Sequence, residues 1–262
     1  MATEKIGRTL LVAMAVALGC SAMVSLAIQL LRPVQDAYAQ LERNRTVLAA
    51  AGELPDKASD RVIVSRYLDL DLRLVDMASQ IFVDHTPVGD ARLYDHWTLD
   101  EGSPLLLPVS AEATSDRPTL LPRYVPVYLV WKGQTLHRLV LPVHGQGMWS
   151  TIYAYLALNG DLSTVAAMRV YRHGETPGIG DRIEDPIWLS TWAGKRVYDD
   201  TGRSQFLVAR GTSDSPYRVD LITGASVTSE ALGNIVRFWV GPQGYGPLLQ
   251  ALHESTLTLS PP

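Results

Sequence analysis

The sequence predicts an α+β protein: an N-terminal transmembrane helix followed by a domain of antiparallel strands with helices packed on the sheet. Three observations predict this architecture. Residues 9–31 carry no charge, residues 124–171 alternate strand-like segments with turn residues, and residues from 226 onward space their apolar side chains helically. Of the 262 residues, 47% are hydrophobic and 19% are charged, which excludes a disordered chain and allows a sizeable core.

The uncharged segment from Thr9 to Leu31 predicts a membrane-spanning helix. A helix of this length spans roughly 34 Å, which exceeds a hydrocarbon core of about 30 Å. Lys5 and Arg8 precede the segment and favour an N-terminus inside, with the bulk of the chain outside. Two alternatives stay open: a signal peptide cleaved near residues 25–27, and a lipoprotein signal ending at Cys20.

The rest of the chain divides where its composition changes. Residues 33–51 are polar, lack Gly and space their apolar residues helically, which predicts a helix leaving the membrane. Residues 52–122 contain Pro, Gly and Asp breaks at 54–56, 86–89 and 116–118, which predict loops, short helices and one or two strands. We therefore expect an anchor over residues 1–32, a helical connector over 33–60 and a folded domain over 61–262.

Strand-like segments on either side of turn residues predict three antiparallel pairs. Their strands are residues 127–131 with 136–141, residues 149–158 with 165–171, and residues 196–198 with 205–210. Apolar residues at helical spacing then predict a helix from Ser226 to Val240, with Gly241 as its C-cap. This helix is expected to pack on the sheet.

Composition and motifs exclude several classes of function. The net charge is −4 and the Lys and Arg residues are scattered, so a nucleic-acid partner is not expected. The single cysteine excludes an internal disulfide and a cysteine-based zinc or iron–sulfur site within this chain. Phosphate-loop, dinucleotide-binding, HExxH and GxSxG motifs are absent, and the six histidines lack metal-ligand spacing. Neither a metal site nor a catalytic residue is predicted.

Three segments rich in glycine or hydroxyl residues remain: His144–Trp149, His173–Gly180 and Asp220–Ser229. Structural explanations exist for each, namely a bulged turn with positive φ at Gly145 or Gly147, a rigid loop, and N-capping of the last helix. A phosphate would also suit the third segment, since a helix N-terminus attracts anions and glycine leaves room for one. Spacing alone leaves the cap and the cofactor site both open.

Taken together and in order, these segments resemble the C subunit of the sodium-pumping NADH:quinone oxidoreductase of bacteria. The matching residues are 141–150 (LPVHGQGMWS), 174–180 (GETPGIG), 223–229 (TGASVTS) and 238–248 (FWVGPQGYGPL). The resemblance covers nearly the whole chain. The homologous flavin subunit of the electron-transport complex Rnf is an alternative, with a weaker match to the His144 segment and to residues 238–248.

The resemblance implies covalently attached FMN. In the family, the motif Asp-x-x-Ser/Thr-Gly-Ala-Thr carries the flavin phosphate as an ester on its last hydroxyl residue. Asp220, Thr223, Gly224 and Ala225 match, and Ser226 stands at the acceptor position, where threonine is usual. Thr228 is the reserve acceptor. The other residues expected to border the flavin are Glu175, Thr176, Pro177, Gly178, Ile179, His144, Gly145 and Trp149, although Trp149 fits the core equally well.

The resemblance also implies an electron relay in the bacterial inner membrane, with one span and a periplasmic FMN-binding domain. The A, B, D, E and F subunits of the complex are the implied partners, and a flavin transferase attaches the cofactor. Electrons would come from an iron–sulfur centre in other subunits and pass to the FMN of the B subunit. Two rival classes remain: a noncovalent periplasmic flavin-binding protein, and a structural subunit in which Ser226 only caps its helix.

Overall fold

The protein is described by a computed structural model over residues 2–83, 88–109, 118–211, 214–254 and 259–262, without the side chains of residues 2–6. In chain order its elements are α1 (Ala2–Ala51), α2 (Asp60–Asp69), β1 (Asp71–Asp76), β2 (Ile81–Val83), β3 (Leu106–Pro108), β4 (Leu120–Pro122), β5 (Tyr124–Lys132), β6 (Thr135–Gln146), β7 (Thr151–Asn159), β8 (Val165–Arg172), the 3-10 helix η1 (Gly180–Glu184), α3 (Pro186–Ser190), β9 (Leu207–Ala209), β10 (Arg218–Asp220), α4 (Ser226–Trp239) and α5 (Gly246–His253). The chain forms two units, Met1–Arg43 and Asn44–Pro262.

The first unit consists of helix α1 up to Arg43. Its stretch from Gly7 is part of the one described helix that is long and apolar enough to cross a membrane. The helix continues through Pro33, although a proline inside a helix removes one hydrogen bond and crowds the preceding turn. The predicted helix after the apolar segment is therefore confirmed, and it belongs to the same helix as that segment.

The second unit is built on a six-stranded antiparallel sheet in the order β2-β1-β5-β6-β7-β8. Its two central hairpins, β5–β6 and β7–β8, are those that the sequence predicts. The first turns at Gly133, where φ is +61° and glycine avoids the strain of a side chain. Strand β7 begins at Thr151, two residues later than predicted. The N–H groups of Trp149 and Ser150 bond to a carboxylate, Glu175, instead of continuing the strand.

The main core lies between this sheet and α4. Residues Leu232, Ile235 and Val236, which set the predicted helical spacing, are all buried against the sheet. A Cβ added to Gly145 of β6 would lie 2.6 Å from Cγ1 of Ile235, so the helix approaches the strand closely there. The indole N–H of Trp239 donates to the carbonyl oxygen of His144 at 2.7 Å. These contacts fix the end of α4 on the strand and thereby place its first turn.

The opposite face of the sheet is covered by α2. Tyr67 of α2 and Tyr128 of β5 are buried, with ring centroids 5.7 Å apart and hydroxyl oxygens separated by 3.2 Å. Val47 and Leu48, in the part of α1 that belongs to this unit, are fully buried as well. Both faces of the sheet therefore carry helices, as expected for an α+β domain.

Residues 52–122 contain more strands than the one or two predicted. The described part of this region contains four strands, and β1 pairs with β5 along its whole length. Strand β1 is difficult to recognise in the sequence because it contains charged residues. Asp71 and Arg73 pair with each other at 2.9 Å, and this pairing allows both to lie in a half-buried strand. Two of the predicted breaks, at 86–89 and 116–118, lie partly outside the described residues.

The predicted third hairpin is wrong beyond a single bridge. Tyr198 and Ser204 form one antiparallel bridge, but strand β9 pairs in parallel with β10. The Asp199 carboxylate explains the early end of the hairpin. It accepts hydrogen bonds from donors on residues 201, 203 and 205 and so closes the turn with its own side chain. Strand β10 instead leads the chain towards the start of α4.

Candidate functional site

Ser226 is the first residue of α4 and is partly exposed. Ala225 occupies the N-cap position, with φ −126° and no side-chain cap hydrogen bond. The capping interpretation of Ser226 is therefore wrong, because a cap side chain must stand one residue earlier. The preceding Gly224 has φ +88°, and a Cβ added there would have no atom within 4 Å. Open space thus lies beside a hydroxyl at a helix N-terminus.

The loop before α4 is held by two side chains, one from η1 and one from α3. Nη1 of Arg182 donates to the carbonyl oxygen of Thr223 at 2.8 Å. The indole N–H of Trp188 donates to the carbonyl oxygen of Asp220, also at 2.8 Å. Neither Arg182 nor Trp188 is among the site residues predicted from the sequence. The one available hint was their position just after the 173–180 segment, within 45 residues of the acceptor motif.

The other hydroxyl residues of α4's first turn are buried and engaged. Thr228 is 2% exposed, and its Oγ1 donates to Oε2 of Glu175 at 2.8 Å. Ser229 is fully buried and its Oγ donates to the carbonyl oxygen of Ala225 at 2.8 Å. Thr223 is exposed, but it precedes the helix. Ser226 therefore combines exposure with a place at the helix start.

Glu175 joins all three segments singled out in the sequence. Its carboxylate accepts the backbone N–H groups of Met148 (3.3 Å), Trp149 (3.0 Å) and Ser150 (3.1 Å), in addition to the hydroxyl of Thr228. Burial alone would raise the pKa of Glu175, but the hydrogen bonds from Trp149, Thr228, Ser150 and Met148 together lower it. The buried carboxylate is thus ionised, and it fastens both loops to α4.

Gly145, Gly147 and Gly180 are required by close approach and not by backbone conformation. Neither Gly145 nor Gly147 has a positive φ, so the bulged-turn interpretation is wrong. A Cβ at Gly147 would lie 2.6 Å from Oε1 of Glu175, and one at Gly180 would lie 2.8 Å from its Cβ. Any side chain at these two positions would push Glu175 out of its network.

The exposed tip of the second loop is formed by residues 176–179. The carbonyl oxygen of Thr176 accepts the N–H groups of Ile179 and Gly180, which folds the segment into a tight turn. Gly178 has φ +76°, and its N–H donates to Oδ2 of Asp181 at 2.9 Å. Pro177 stands in the same exposed turn. The turn therefore presents these predicted residues outward instead of burying them.

Four large apolar side chains are exposed on the segments that Glu175 joins. They are Trp149 (67% exposed), Val227 (57%), Ile179 (52%) and Met148 (50%). Trp149 is therefore not a core residue, and its contact with a flavin stays a prediction. Apolar side chains around a hydroxyl and a helix N-terminus suit a ligand with a flat apolar ring and an anionic group.

His144 and Gly145 lie apart from this network. Among the described residues, the ring of His144 contacts Tyr153 (centroids 5.9 Å apart) and Trp239 (5.1 Å). Burial lowers the pKa of His144 to about 4, so its ring is neutral near pH 7, and Nδ1 is buried without a hydrogen-bond partner in the described part of the chain. Both residues thus support α4, and a direct contact with a cofactor stays a prediction.

The site fits FMN chemically. An accessible hydroxyl, open space beside Gly224, a helix N-terminus and the Arg182 guanidinium suit the phosphate, and the exposed apolar side chains suit the ring. Within the described residues, no group of three or more His, Cys, Asp or Glu residues could hold a metal ion.

The chain is similar to known proteins over almost its full length. The FMN-binding domain family matches residues 147–241. The C subunit of the Na⁺-translocating NADH-quinone reductase of Yersinia pestis is 34% identical over 97% of this chain and 96% of its own. That of Pseudomonas aeruginosa is 35% identical over 96% of this chain and 97% of its own.

Two solved structures share the fold. The crystal structure of NqrC from Shewanella oneidensis has a TM-score of 0.73 and 26% identity, and the match covers 83% of this chain and 99% of that one. The C subunit of the Na⁺-translocating NADH-quinone reductase from Parabacteroides distasonis has a TM-score of 0.61 and 19% identity, over 87% of this chain and 98% of that one.

Proposed function

Because the chain belongs to the NqrC family, the C subunits of Na⁺-translocating NADH-quinone reductases, we propose that it is the electron-relay flavin subunit of such a reductase. We further propose that its FMN is covalent, attached through a phosphoester to Ser226. The observation that carries this assignment is the contrast within the first turn of α4. Ser226 is accessible there, whereas Thr228 and Ser229 are buried and hydrogen-bonded.

The contrast argues against the reserve acceptor. An ester at Thr228 would remove the hydroxyl donor from Glu175 and would force a charged phosphate into the core. Thr223 is a poorer choice than Ser226 because it stands in the loop, away from the free N–H groups of the helix. Serine offers the same nucleophilic oxygen as the threonine usual in the family, so the substitution keeps the chemistry available.

Attachment requires an activated flavin nucleotide as the donor. Oγ of Ser226 forms a bond to the phosphorus, the activating group leaves with its electron pair, and the hydroxyl proton passes to a base on the transferase. Among the described residues, the Ser226 hydroxyl has no hydrogen bond to a histidine or a carboxylate, which fits a reaction catalysed by a separate enzyme. The positive end of the helix favours the resulting anionic ester.

Bound FMN supplies the redox chemistry, and this chain supplies position and surroundings. The ester fixes one end of the cofactor and keeps its local concentration high even if the ring binds weakly. Glu175 and the 176–179 turn hold the loops that border the ring, and Trp149 offers an exposed aromatic face on which it can stack. Such a carrier collects and passes electrons without any NADH site of its own.

We propose that residues 1–32 anchor the chain in the bacterial inner membrane, that residues 33–60 form a connector, and that the FMN-binding domain over 61–262 is periplasmic. The continuous apolar helix and the preceding cations Lys5 and Arg8 support this orientation. The A, B, D, E and F subunits of the reductase and the flavin transferase are the proposed partners. A C-terminal alkaline phosphatase fusion should be active in cells, and an inactive one would place the domain in the cytoplasm.

In-gel flavin fluorescence tests the covalent attachment. The full-length chain is co-expressed with a flavin transferase and denatured before electrophoresis. The wild-type band should fluoresce, S226A should be dark, and S226T and T228A should keep the flavin. A dark wild-type band with flavin released into solution would favour the noncovalent rival. Fluorescence that survives in S226A and disappears in T228A would move the acceptor to Thr228.

A further inference from the structure

Arg182 places a positive charge at the acceptor site, and the proposed function gives this charge no role. It lies in η1, whose first residue, Gly180, is packed against α4: a Cβ there would lie 3.4 Å from Oγ1 of Thr228. Nη1 of Arg182 donates to the carbonyl oxygen of Thr223, three residues before Ser226. The guanidinium is therefore held beside the acceptor loop from the other side of the site.

Arg182 forms no ion pair with the part of the chain that the structure describes. Among the described residues the Thr223 carbonyl is the one hydrogen-bond partner of its guanidinium, and no carboxylate lies within 4 Å of it. A guanidinium has five N–H donors in a planar fork, so most of its donors are left for a ligand. The residue is also exposed, which leaves the guanidinium accessible from solvent.

The carboxylates near Ser226 make a cation favourable beside an added phosphate. Glu175 is buried and ionised behind the first turn of α4, and Asp220 lies at the beginning of the acceptor motif. Asp220 has its own cation, since Arg218 Nε is 3.8 Å from its Oδ1. A phosphodiester on Ser226 adds another negative charge in this neighbourhood. The helix N-terminus offsets about half a charge, and a guanidinium nearby can offset more.

We propose, on the basis of the proposed function, that Arg182 binds a phosphate oxygen of the FMN esterified to Ser226. It acts as a positioning residue. One arm of its fork stays on the Thr223 carbonyl, and another donates to the phosphate, so the guanidinium fixes the orientation of the ester relative to the loop. The ring then leaves the ester in a direction set by the protein instead of swinging freely.

The competing explanation is that Arg182 only stabilises the loop through Thr223. R182Q removes the charge and leaves a shorter side chain with an amide donor, so R182K and a readout at the phosphate are needed to separate the two roles. R182K keeps the charge, and R203Q is the matched control. Arg203 is exposed in the turn closed by Asp199, and among the described residues its hydrogen bonds come from its backbone and not from its side chain. Each full-length variant is incubated with purified transferase and its flavin nucleotide donor, and the rate of attachment is followed by intact mass.

Attachment should slow roughly fivefold to tenfold in R182Q, recover at least partly in R182K and stay unchanged in R203Q. Each variant is then loaded to completion, and the ³¹P resonance of its phosphodiester is measured. In R182Q this resonance should move towards its position in the denatured protein, which a loop-stabilising role would not cause. A ³¹P resonance in R182Q identical to that of the wild type would overturn the proposal, whatever the rate of attachment.

A wild-type chain that takes up no flavin at all under these conditions would instead overturn the covalent attachment itself. The two failures are therefore distinguishable: one concerns the variant against a loaded wild type, and the other concerns the wild type alone.

Discussion

Oγ1 of Thr228 donates to Oε2 of Glu175 across 2.8 Å, between two residues that are 2% and 4% exposed. This bond connects the first turn of α4 to the loop at 174–180. The other carboxylate oxygen collects the N–H groups of Trp149 and Ser150 and so adds the third segment. One buried carboxylate thus determines the shape of the candidate flavin site.

Removing this carboxylate should destabilise the domain and disorder the site. E175A leaves three backbone N–H groups and two hydroxyls, those of Thr228 and Ser150, without their acceptor. We expect a loss of about 2–4 kcal/mol in the free energy of unfolding. E175Q keeps one acceptor oxygen and should lose less. Chemical denaturation of the full-length variants in detergent measures both. The exposed Glu230 provides the matched control, E230Q, which should unfold like the wild type. An E175A protein as stable as E230Q would contradict this role.

The neutral, enclosed ring of His144 should make stability depend on pH. Its pKa is about 4 in the folded protein, below the ordinary value of 6.5. A depressed folded pKa contributes stability that is present above pH 6.5 and is lost as the pH falls towards 4, because the unfolded chain gains the proton first. The loss should reach up to about 3 kcal/mol. Thermal unfolding of wild type and H144Q between pH 7 and 4 measures it.

The comparison rests on the slope of stability against pH and not on the absolute stability of H144Q. As the pH falls from 7 to 4, the stability of the wild type should fall more steeply than the stability of H144Q. Parallel curves would show that the His144 ring titrates normally.

A methyl group at Gly145 should cost stability because α4 passes too close to the strand. The added Cβ would lie 2.6 Å from Cγ1 of Ile235, and we expect G145A to lose about 1–3 kcal/mol. The I235A change removes the clashing Cγ1, so G145A should cost less stability in an I235A background than in the wild type. G102A is the control, since a Cβ at Gly102 meets no atom within 4 Å. A stable G145A with its helix unmoved would contradict the packing described here.

Replacing Trp149 should leave the stability of the domain nearly unchanged but should alter the fluorescence of a bound flavin. Because it is 67% exposed, W149A should change the free energy of unfolding by less than about 0.5 kcal/mol. If the flavin ring stacks on it, W149A loaded with FMN should show stronger flavin fluorescence, since an indole in contact quenches it. Emission spectra of loaded wild type and W149A make the measurement. Identical spectra would remove Trp149 from the flavin's surroundings.

The parts of the fold set by local pattern could be predicted from the sequence. The uncharged helix, the hairpin that turns at Gly133 and the α4 helix with buried Leu232 and Ile235 all follow from hydrophobic periodicity and turn residues. Strand β1 could not be predicted, because its charges appear polar until Asp71 and Arg73 are seen to pair with each other.

The prediction of the third hairpin was wrong because strand pairing, like the pairing of charges in β1, depends on contacts that the local sequence does not show. A turn signature predicts where the chain reverses, but it does not predict how far the pairing continues, and the parallel partner of β9 comes from a strand after the next loop.

Some features of the candidate site could likewise be predicted from the sequence, and others could not. The acceptor motif and the glycines are visible in the sequence, but their reasons are not: Gly145 makes room for Ile235, and Gly147 makes room for Glu175. Arg182 and Trp188 were missed because each acts on a backbone carbonyl that is distant in sequence, a contact that leaves no pattern in the chain. The exposure of Ser226 and the burial of Thr228 likewise required the packing of α4.

The position of the flavin on the polypeptide is the most direct test of the whole account. Trypsin should release residues 219–237 as one peptide, which contains Thr223, Ser226, Thr228 and Ser229. Tandem mass spectrometry of this peptide, from protein matured with the transferase, should locate the mass of FMN less one water on Ser226. An adduct on Thr223, Thr228 or Ser229, or a peptide that is wholly unmodified, would contradict the assignment.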